Sequence, residues 1–427
     1  MPAMRAERGA ARGQRLRRLV TRIDLDAEPL DLAGERGFAW RSAARELVAF
    51  GSAATIPLGD GPARLADAAE QAAAWLAAVE TCTADGDPGD PDVPAPLAVG
   101  ALPFAAHTPG RLTIPAVTVE RGADGRVWAS CTGAGDPSDL PDLGALVEAR
   151  PRRRARPRVT AVRAAQDGSR WRVAVQAALA AIASGRLAKV VLARELEVHA
   201  DRPFRRGPLL RRLAVRAPGG YVYASDGFLG ASPELLVARF GRHALARPMA
   251  GTVPSGGAAD EEARRLAWLR ASAKNATEHR LVVDAVAAAL GPVADGLRVA
   301  PVELVRLPTV AHLATRIDAD LGDPAPTALE LAALLHPTPA VAGTPQAAAL
   351  AAIAELEPFE RGCYTGPVGW VDARGDGEWA VALRCAALDG PRARLWAGAG
   401  IVAGSDPESE WYETEAKLAA MLGVLTR

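Results

Sequence analysis

Two glutamates and a lysine near the end of the chain have a spacing that predicts one shared helix face. The Ser-Asp-Pro segment at 405–407 is a helix-start signal, because its side-chain oxygens can accept from free N–H groups and proline suits the first helical position. A helix from about residue 407 then places Glu410, Glu413 and Lys417, which stand three and four residues apart, on the same face. Carboxylate oxygens are the ligands that hard cations prefer, so this face is a candidate cation site.

The residues just before this helix are candidates for anion binding. Gly398, Ala399 and Gly400 read as a glycine turn, whose bare backbone N–H groups could receive an anion. Glu413 and Lys417 could equally be an ordinary i,i+4 surface pair. Only the rest of the chain can decide between these interpretations.

A lysine and a glutamate at strand ends form a second pair of reactive candidates. Lys189 begins an apolar run that reads as a buried strand, and Glu234 follows a Ser-Pro turn at the start of another. Burying either charge alone is costly, and burial pushes both side-chain types toward their neutral forms. In a closed pocket such a pair can act as a base and an acid.

Other polar side chains interrupt apolar segments in the same part of the chain. Glu278 and His279 lie in the later portion of a helix predicted from about Asp260. Arg384 interrupts an otherwise apolar strand, and its planar guanidinium suits a carboxylate. We therefore expect an anionic substrate.

Composition argues against several classes of function. The 427 residues include 50 basic and 50 acidic side chains, a balance that disfavours nucleic-acid binding and attachment to membranes by charge. No apolar run approaches the roughly 20 residues that span a bilayer, so we expect a soluble, cytoplasmic protein. We interpret the four cysteines, which form no CxxC pair, as reduced core residues. They are Cys82, Cys131, Cys363 and Cys385.

The chain divides into four predicted regions. Residues 1–18 are rich in arginine and are expected to be disordered, and residues 19–150 form an N-terminal α+β portion of short strands around one Ala-rich helix. Residues 151–160 are a basic connector without interleaved aromatic residues, which favours a solvated linker over a nucleic-acid site. Residues 165–427 contain the reactive candidates and form the predicted catalytic domain.

Short motifs follow one another through this last region. In chain order they are Lys189-Val-Val-Leu-Ala-Arg, Ser232-Pro-Glu-Leu-Leu, Ala250-Gly-Thr, Glu278-His, His312-Leu-Ala-Thr, His336-Pro-Thr-Pro-Ala, Gly362-Cys-Tyr-Thr-Gly-Pro-Val-Gly and Gly398-Ala-Gly-Ile-Val. Together they resemble the chorismate-utilising enzymes, which include isochorismate synthase, salicylate synthase, anthranilate synthase component I and aminodeoxychorismate synthase. Lys189 and the His-Pro-Thr-Pro-Ala turn are most similar to isochorismate synthase.

The resemblance implies an α+β fold of the anthranilate synthase component I type. It has a large two-sheet β-sandwich flanked by helices, with the active site in a central cleft. It also implies an isomerase that uses Mg²⁺ to convert chorismate to isochorismate, adding water at C2 and expelling the C4 hydroxyl. The product would enter menaquinone or siderophore biosynthesis.

The resemblance further implies a role for each candidate residue. Lys189 would be the base that activates water, and protonated Glu234 would be the acid for the C4 oxygen. Magnesium would bind the ring carboxylate and be held by Glu278, Glu410 and Glu413. The implied ligands of the enolpyruvyl carboxylate are Arg384, Tyr364, Lys417 and the amides of Gly398, Ala399 and Gly400, and the residues lining the ring are Gly251, Thr252, His312 and Thr338.

Three positions depart from the family pattern. Val253 and Ser255 stand where an Ala-Gly-Thr-Arg-Pro loop is common, and Asn275 stands where an acidic residue often follows the lysine before Glu278. These departures bear on rate and metal affinity more than on reaction type.

Other outcomes stay open at this stage. A salicylate synthase would use the same lysine and acid but would also eliminate pyruvate. An aminating enzyme would take ammonia from a glutamine amidotransferase partner, and without an amidotransferase segment we expect no such subunit. A chorismate-binding module without chemistry is disfavoured by the presence of both Lys189 and Glu234. The resemblance implies a monomer or weak dimer.

Overall fold

The computed structural model describes residues 15–83, 92–135, 156–307 and 310–426. Its strands are β1 (Arg17–Ile23), β2 (Phe38–Arg41), β3 (Arg45–Phe50), β4 (Ala54–Pro57), β5 (Glu80–Thr83), β6 (Leu97–Ala101), β7 (Arg111–Ile114), β8 (Val117–Gly122), β9 (Val127–Gly133), β10 (Val159–Ala164), β11 (Lys189–Ala200), β12 (Tyr221–Ser225), β13 (Phe228–Ser232), β14 (Leu235–Phe240), β15 (His243–Arg247), β16 (Met249–Pro254), β17 (Ala294–Val299), β18 (Glu303–Arg306), β19 (Val310–Ala314), β20 (Ile317–Leu321), β21 (Gly343–Thr344), β22 (Pro367–Asp372), β23 (Gly377–Val381), β24 (Cys385–Asp389) and β25 (Arg392–Ile401).

Helices connect these strands and cover the sheets. They are α1 (Arg64–Ala77), α2 (Gly168–Ala183), α3 (Arg206–Arg216), α4 (Ala259–Ala271), α5 (Ala273–Leu290), α6 (Ala328–Leu335), α7 (Gln346–Leu356) and α8 (Pro407–Thr426), with short 3₁₀ turns at Pro29–Leu32 and Gly291–Val293. Within the described residues, no helix is long and apolar enough to cross a membrane.

The strands of the described residues form three sheets. The large sheet runs β10-β11-β25-β24-β13-β12-β2-β3-β8-β9-β1-β5, with β21 also paired to β11. The second sheet runs β17-β20-β15-β14-β23-β22-β6-β7-β4. A small sheet, β16-β19-β18, was not predicted.

An aromatic core lies between the large and second sheets. Trp40 and Tyr223 reach it from the large sheet, and Val368 and Trp370 reach it from the second sheet. All four side chains are buried, and apolar burial of this kind is the dominant favourable term in folding. The expected α+β architecture with a two-sheet sandwich is therefore present.

Strands from both predicted portions of the chain share the two main sheets. β2 pairs with β12 in the large sheet, and β6 pairs with β22 in the second. β1 begins inside the segment 1–18 that was expected to be disordered, and β10 begins inside the predicted linker 151–160. Residues 1–14 and 151–155 lie outside the described residues, so the division into regions stays a prediction.

The helix predicted from about Asp260 is two helices. It breaks at Ser272, whose side chain accepts a hydrogen bond from the Asn275 N–H and so caps the start of α5. α4 packs on the small sheet through a separate apolar cluster that includes Val253, Leu269 and Leu313. α5, which begins after this cap, carries Glu278 at the cleft.

The cysteines are free, as predicted, but not all of them are core residues. Cys385 is buried, whereas Cys82 is exposed on β5. The prediction that all four lie in the core was wrong because β5 is an edge strand of the large sheet, where alternate side chains face solvent.

Candidate active site

A cleft with about 590 Å³ of empty space, part of it open to solvent, contains most of the predicted site residues. Those that line it are Glu234, Gly251, Thr252, Glu278, His312, Tyr364, Arg384, Gly398, Gly400, Glu413 and Lys417. Apolar side chains, among them Val191, Met249, Val341 and Leu383, complete the wall. The structure thus brings together residues from most of the motifs found in the sequence.

Glu234 and Arg384 lie where the chain passes from one main sheet to the other. Glu234 lies in the link between β13 of the large sheet and β14 of the second sheet, and Arg384 precedes β24 on the return path. Backbone hydrogen bonds join the two crossings, from Val381 N–H to the Glu234 carbonyl and from Ala231 N–H to the Arg384 carbonyl. The crossings therefore hold both side chains at the junction of the sheets.

The Arg384 backbone differs from the prediction. Arg384 is not part of a strand, because β23 ends at Val381 and Arg384 adopts φ +49°. This left-handed conformation is uncommon for a residue with a side chain and is often found at functional sites.

Burial gives Glu234 the character of an acid. The side chain is almost fully buried, and this raises the pKa of Glu234 to about 7. The Met249 N–H and the cations Lys189, Arg384 and Lys417 act in the opposite direction. Glu234 can therefore carry a proton near neutral pH and still lies within the electrostatic reach of Lys189.

Lys189 is fully buried at the first position of β11. Its Nζ lies 3.0 Å from Glu278 Oε1 and forms an ion pair with it. The contact is not aligned as a hydrogen bond, and Nζ makes no hydrogen bond to any other described residue. Lys189 is reached past Gly400, since a Cβ on Gly400 would lie 3.1 Å from Lys189 Cε and 2.1 Å from Glu278 Oε1. A glycine here gives the cleft access to the Lys189–Glu278 pair.

The segment Gly398–Gly400 is a strand and not the predicted turn. It continues β25, where Gly398, Ala399 and Gly400 pair with β11. The predicted turn was wrong because glycine is unfavourable inside most strands, whereas these glycines permit close approach of other groups. The side chains alternate, so Gly398 and Gly400 line the cleft while Ala399 packs in the apolar core.

The Gly398 backbone still faces the α8 side of the sheet. Its carbonyl accepts a hydrogen bond of 2.8 Å from Lys417 Nζ. Since the N–H and C=O of one strand residue point to the same side, the Gly398 N–H is also turned away from β11. An anion-binding role for this amide stays a prediction.

Lysines neutralise the predicted metal ligands in this structure. Glu413 Oε1 lies 2.5 Å from Lys417 Nζ on the same helix face, as the spacing predicted. Glu410 Oε1 lies 2.5 Å from Lys274 Nζ on α5. With Lys189 beside Glu278, each of the three carboxylates has its own ammonium group.

The carboxylates are close enough to influence one another. Burial and the nearby Glu413 raise the pKa of Glu410 to about 7, against the effect of Lys274. Burial opposes the charge on Lys274, but Glu410, Glu413 and Glu278 raise the pKa of this lysine. These oxygen donors have the chemistry that Mg²⁺ prefers, and their mutual repulsion favours a cation between them. In the described part of the chain, however, no three acidic, histidine or cysteine side chains converge as a ready metal site.

His312 is a neutral acceptor that orients Arg384. Its Nδ1 lies 3.3 Å from the Gly251 carbonyl, which can only accept, and 3.1 Å from Thr252 Oγ1. Its Nε2 lies 3.2 Å from Arg384 Nη2, which can only donate. The Nδ1–H tautomer satisfies both contacts. Burial, with Arg384 and Lys417, holds the pKa of His312 well below its usual value.

Tyr364 and Thr338 have different relations to the cleft. The Tyr364 ring is buried, lines the cleft and stacks on Trp396 with a centroid distance of 6.0 Å. Thr338 does not line the cleft. Its Oγ1 accepts a hydrogen bond from the Ala340 N–H, and in this turn Ala340 and Val341 line the cleft instead. Lys189, Ala399 and Glu410 also lie outside the lining residues.

Lys274 was given no role from the sequence. It stands four residues before Glu278 on the predicted helix, and this spacing, which places both side chains on one face, could have linked Lys274 to the site. Its partner Glu410 lies on a distant helix, so the contact could not be found from local spacing. Asn275, noted only as a departure from the family pattern, is buried beside Gly251, and its Nδ2 has no hydrogen-bond partner among the described residues.

Comparisons with known proteins agree on one family. The family model described as "chorismate binding enzyme" matches residues 29–426. Isochorismate synthase DhbC from Bacillus subtilis is 48% identical over 260 residues, which are 58% of this chain and 65% of that protein. This chain therefore aligns with slightly less than two thirds of that relative.

Two further relatives match over more of their length. Isochorismate synthase EntC from Escherichia coli K12 is 38% identical over 340 residues, 77% of this chain and 81% of that protein. The structure of MenF, the menaquinone-specific isochorismate synthase from Escherichia coli, superposes with a TM-score of 0.77 at 28% identity, covering 96% of this chain and 95% of that one. These comparisons confirm the predicted family and fold.

Proposed function

Since the chain belongs to the chorismate-binding enzyme family, we propose that it is an isochorismate synthase, an isomerase that converts chorismate to isochorismate. Water adds at C2 of the ring, both ring double bonds shift, and the C4–O bond breaks with release of water. Isochorismate would then feed menaquinone or siderophore biosynthesis.

One observation carries this proposal: a buried glutamate with a raised pKa lines the cleft, and a buried lysine lies directly behind the cleft wall at Gly400. Lys189 Nζ, after losing the proton that it carries beside Glu278, would take a proton from the attacking water, and the Glu234 carboxyl would give its proton to the departing C4 oxygen. The reaction neither gains nor loses protons overall, so a base and an acid of this kind are sufficient.

The cations and amides of the cleft would hold the substrate dianion. Arg384, oriented by His312, would bind the enolpyruvyl carboxylate together with Tyr364 and Lys417. The Gly398 amide lies near this group because Lys417 contacts its carbonyl. Gly251 and Thr252 would line the ring. Ala340 and Val341 take the place that was predicted for Thr338.

Glu278, Glu410 and Glu413 would hold Mg²⁺, and their oxygen donors fit that ion. When bound, it would supply fixed positive charge opposite the ring carboxylate. The ion pairs between these three carboxylates and their lysines would have to open before the metal binds.

The test is a product analysis of the purified protein with chorismate and Mg²⁺, in the absence of ammonia, with pyruvate assayed in the same tube. We expect isochorismate in equilibrium with chorismate and no pyruvate. Salicylate with equimolar pyruvate would instead make the protein a salicylate synthase. Turnover only after ammonia is added would make it an aminating enzyme, and no product under either condition would contradict the proposal.

A further inference from the structure

Three lysine side chains contact the predicted metal ligands, and they differ in their access to solvent. The Lys189 side chain is 0% exposed and that of Lys417 is 11% exposed, whereas that of Lys274 is 28% exposed. Lys417 is also held by the Gly398 carbonyl. Among the three, Lys274 can most readily turn outward without disturbing the wall of the cleft.

The partner of Lys274 is the most deeply buried of the three carboxylates. The Glu410 side chain is 2% exposed and lies one helical turn from Glu413 on α8. A buried carboxylate needs a compensating charge, and Lys274 supplies it from α5 across the site. Lys274 is also close enough to Glu413 and Glu278 for both carboxylates to favour its charged form.

We propose that Lys274 is an internal counter-ion of Glu410 which a divalent metal must displace, and that this exchange sets the metal affinity of the free protein. The inference rests on the proposed function, because it takes Glu278, Glu410 and Glu413 as the metal ligands. Lys274 is a positioning residue on this view, since it acts through Glu410 and does not contact substrate.

The exchange explains why the carboxylates do not converge as a ready metal site in the described part of the chain. In this arrangement the Oε1 atom of each carboxylate contacts its own lysine amino group. Metal binding has to break the Lys274–Glu410 contact and place two positive charges near the displaced ammonium. Both effects weaken metal binding for as long as the lysine is present.

The test is calorimetric titration of Mg²⁺ into wild-type protein and into Lys274→Met, without chorismate. Methionine keeps the length and apolar stem of the side chain but removes the charge. We expect Mg²⁺ to bind Lys274→Met about tenfold more tightly, a difference of about 1.4 kcal/mol. Lys274→Arg, which keeps the charge, should bind Mg²⁺ as the wild type does. The titrations belong at pH 8.5, where the carboxylates are ionised even when burial favours their neutral forms.

Thermal unfolding supplies a second readout. Without metal, Lys274→Met should melt at a lower temperature than wild type, because Glu410 is left buried without its counter-ion. Saturating Mg²⁺ should raise its melting temperature by more than it raises that of the wild type. The matched control is Arg172→Met, which removes the exposed ion pair between Arg172 on α2 and Glu408 on α8, the helix that also carries Glu410. It should change neither the melting temperature without metal nor the increase caused by Mg²⁺.

The outcomes separate this inference from the proposed function. Equal or weaker Mg²⁺ binding by Lys274→Met would overturn the counter-ion role, even if the product analysis shows isochorismate. Absence of Mg²⁺ binding by both proteins would overturn the inference together with the assigned metal ligands. Tighter binding in Lys274→Met alone, with Arg172→Met unchanged, would support it.

Discussion

At the scale of single residues, burial gives the side chains of the cleft their chemistry. Glu234 and Lys189 are charged residue types with almost no contact with solvent. Removal from water favours the neutral carboxyl of Glu234, which makes it a proton donor near pH 7. His312 is likewise neutral and serves as an acceptor for Arg384.

The pKa of Glu234 predicts the alkaline side of the pH profile. Because the proposed acid must be protonated, kcat/KM should be high below the pKa of about 7 and fall roughly tenfold per pH unit above it. Glu234→Gln should lower kcat/KM by about 10²–10⁴-fold and remove this dependence. Profiles of kcat/KM against pH check both points, with the exposed Glu408→Gln as the control. A profile of Glu234→Gln that keeps the same alkaline limb would contradict the assignment.

At the scale of elements, the register of β25 decides which groups reach the cleft. Gly398 and Gly400 face it and Ala399 faces the core, a consequence of the two-residue period of a strand. At Gly400 the missing side chain leaves room for Glu278 and Lys189, which come from α5 and β11. Three elements therefore meet at one glycine.

Gly400→Ala should disturb this meeting point. The new Cβ would lie 2.1 Å from Glu278 Oε1, so the Lys189–Glu278 pair has to move. A displacement of about 1 Å can cost about 10²-fold in rate, and we expect a loss of kcat of that order. Overpacking should also destabilise the fold by about 1–3 kcal/mol. Gly291→Ala is the matched control, since a Cβ there meets nothing within 4 Å. Unchanged kcat in Gly400→Ala would contradict this account.

The sequence predicts the elements that carry local signals. The start of α8 follows from its Ser-Asp-Pro segment, and the buried strand after Lys189 follows from its apolar run. The extension of β25 through Gly398 could not be predicted, because it depends on pairing with β11. The Lys274–Glu410 contact joins residues 136 positions apart and has no local signal. The sequence therefore indicates the residue types of the site better than their partners.

At the scale of the whole molecule, the two halves of the chain build common sheets. β2 lies beside β12 inside the large sheet, and β6 lies beside β22 inside the second sheet. The aromatic core between the sheets also takes side chains from both halves, such as Trp40 and Trp370. The predicted catalytic domain at 165–427 therefore shares its core with residues outside it.

A fragment beginning at residue 156 should fail to fold alone. It would expose the edges of β12 and β22 and lose Trp40 from the core, and unpaired edges promote aggregation. Circular dichroism melting curves should show one cooperative transition for the full chain and none for the fragment. A cooperative transition together with chorismate turnover in the fragment would show instead that the C-terminal region is an independent domain.

The two crossings between the main sheets make the positions of Glu234 and Arg384 depend on the spacing of the sheets. Glu234 and Arg384 are fixed to both sheets at once, and the hydrogen bonds between their crossings tie them to each other. A change in the spacing of the sheets, caused for example by hydrostatic pressure or by a cavity in the aromatic core, should therefore move the acid and the arginine. We expect the rate of the proposed reaction to depend on how closely the two sheets are packed.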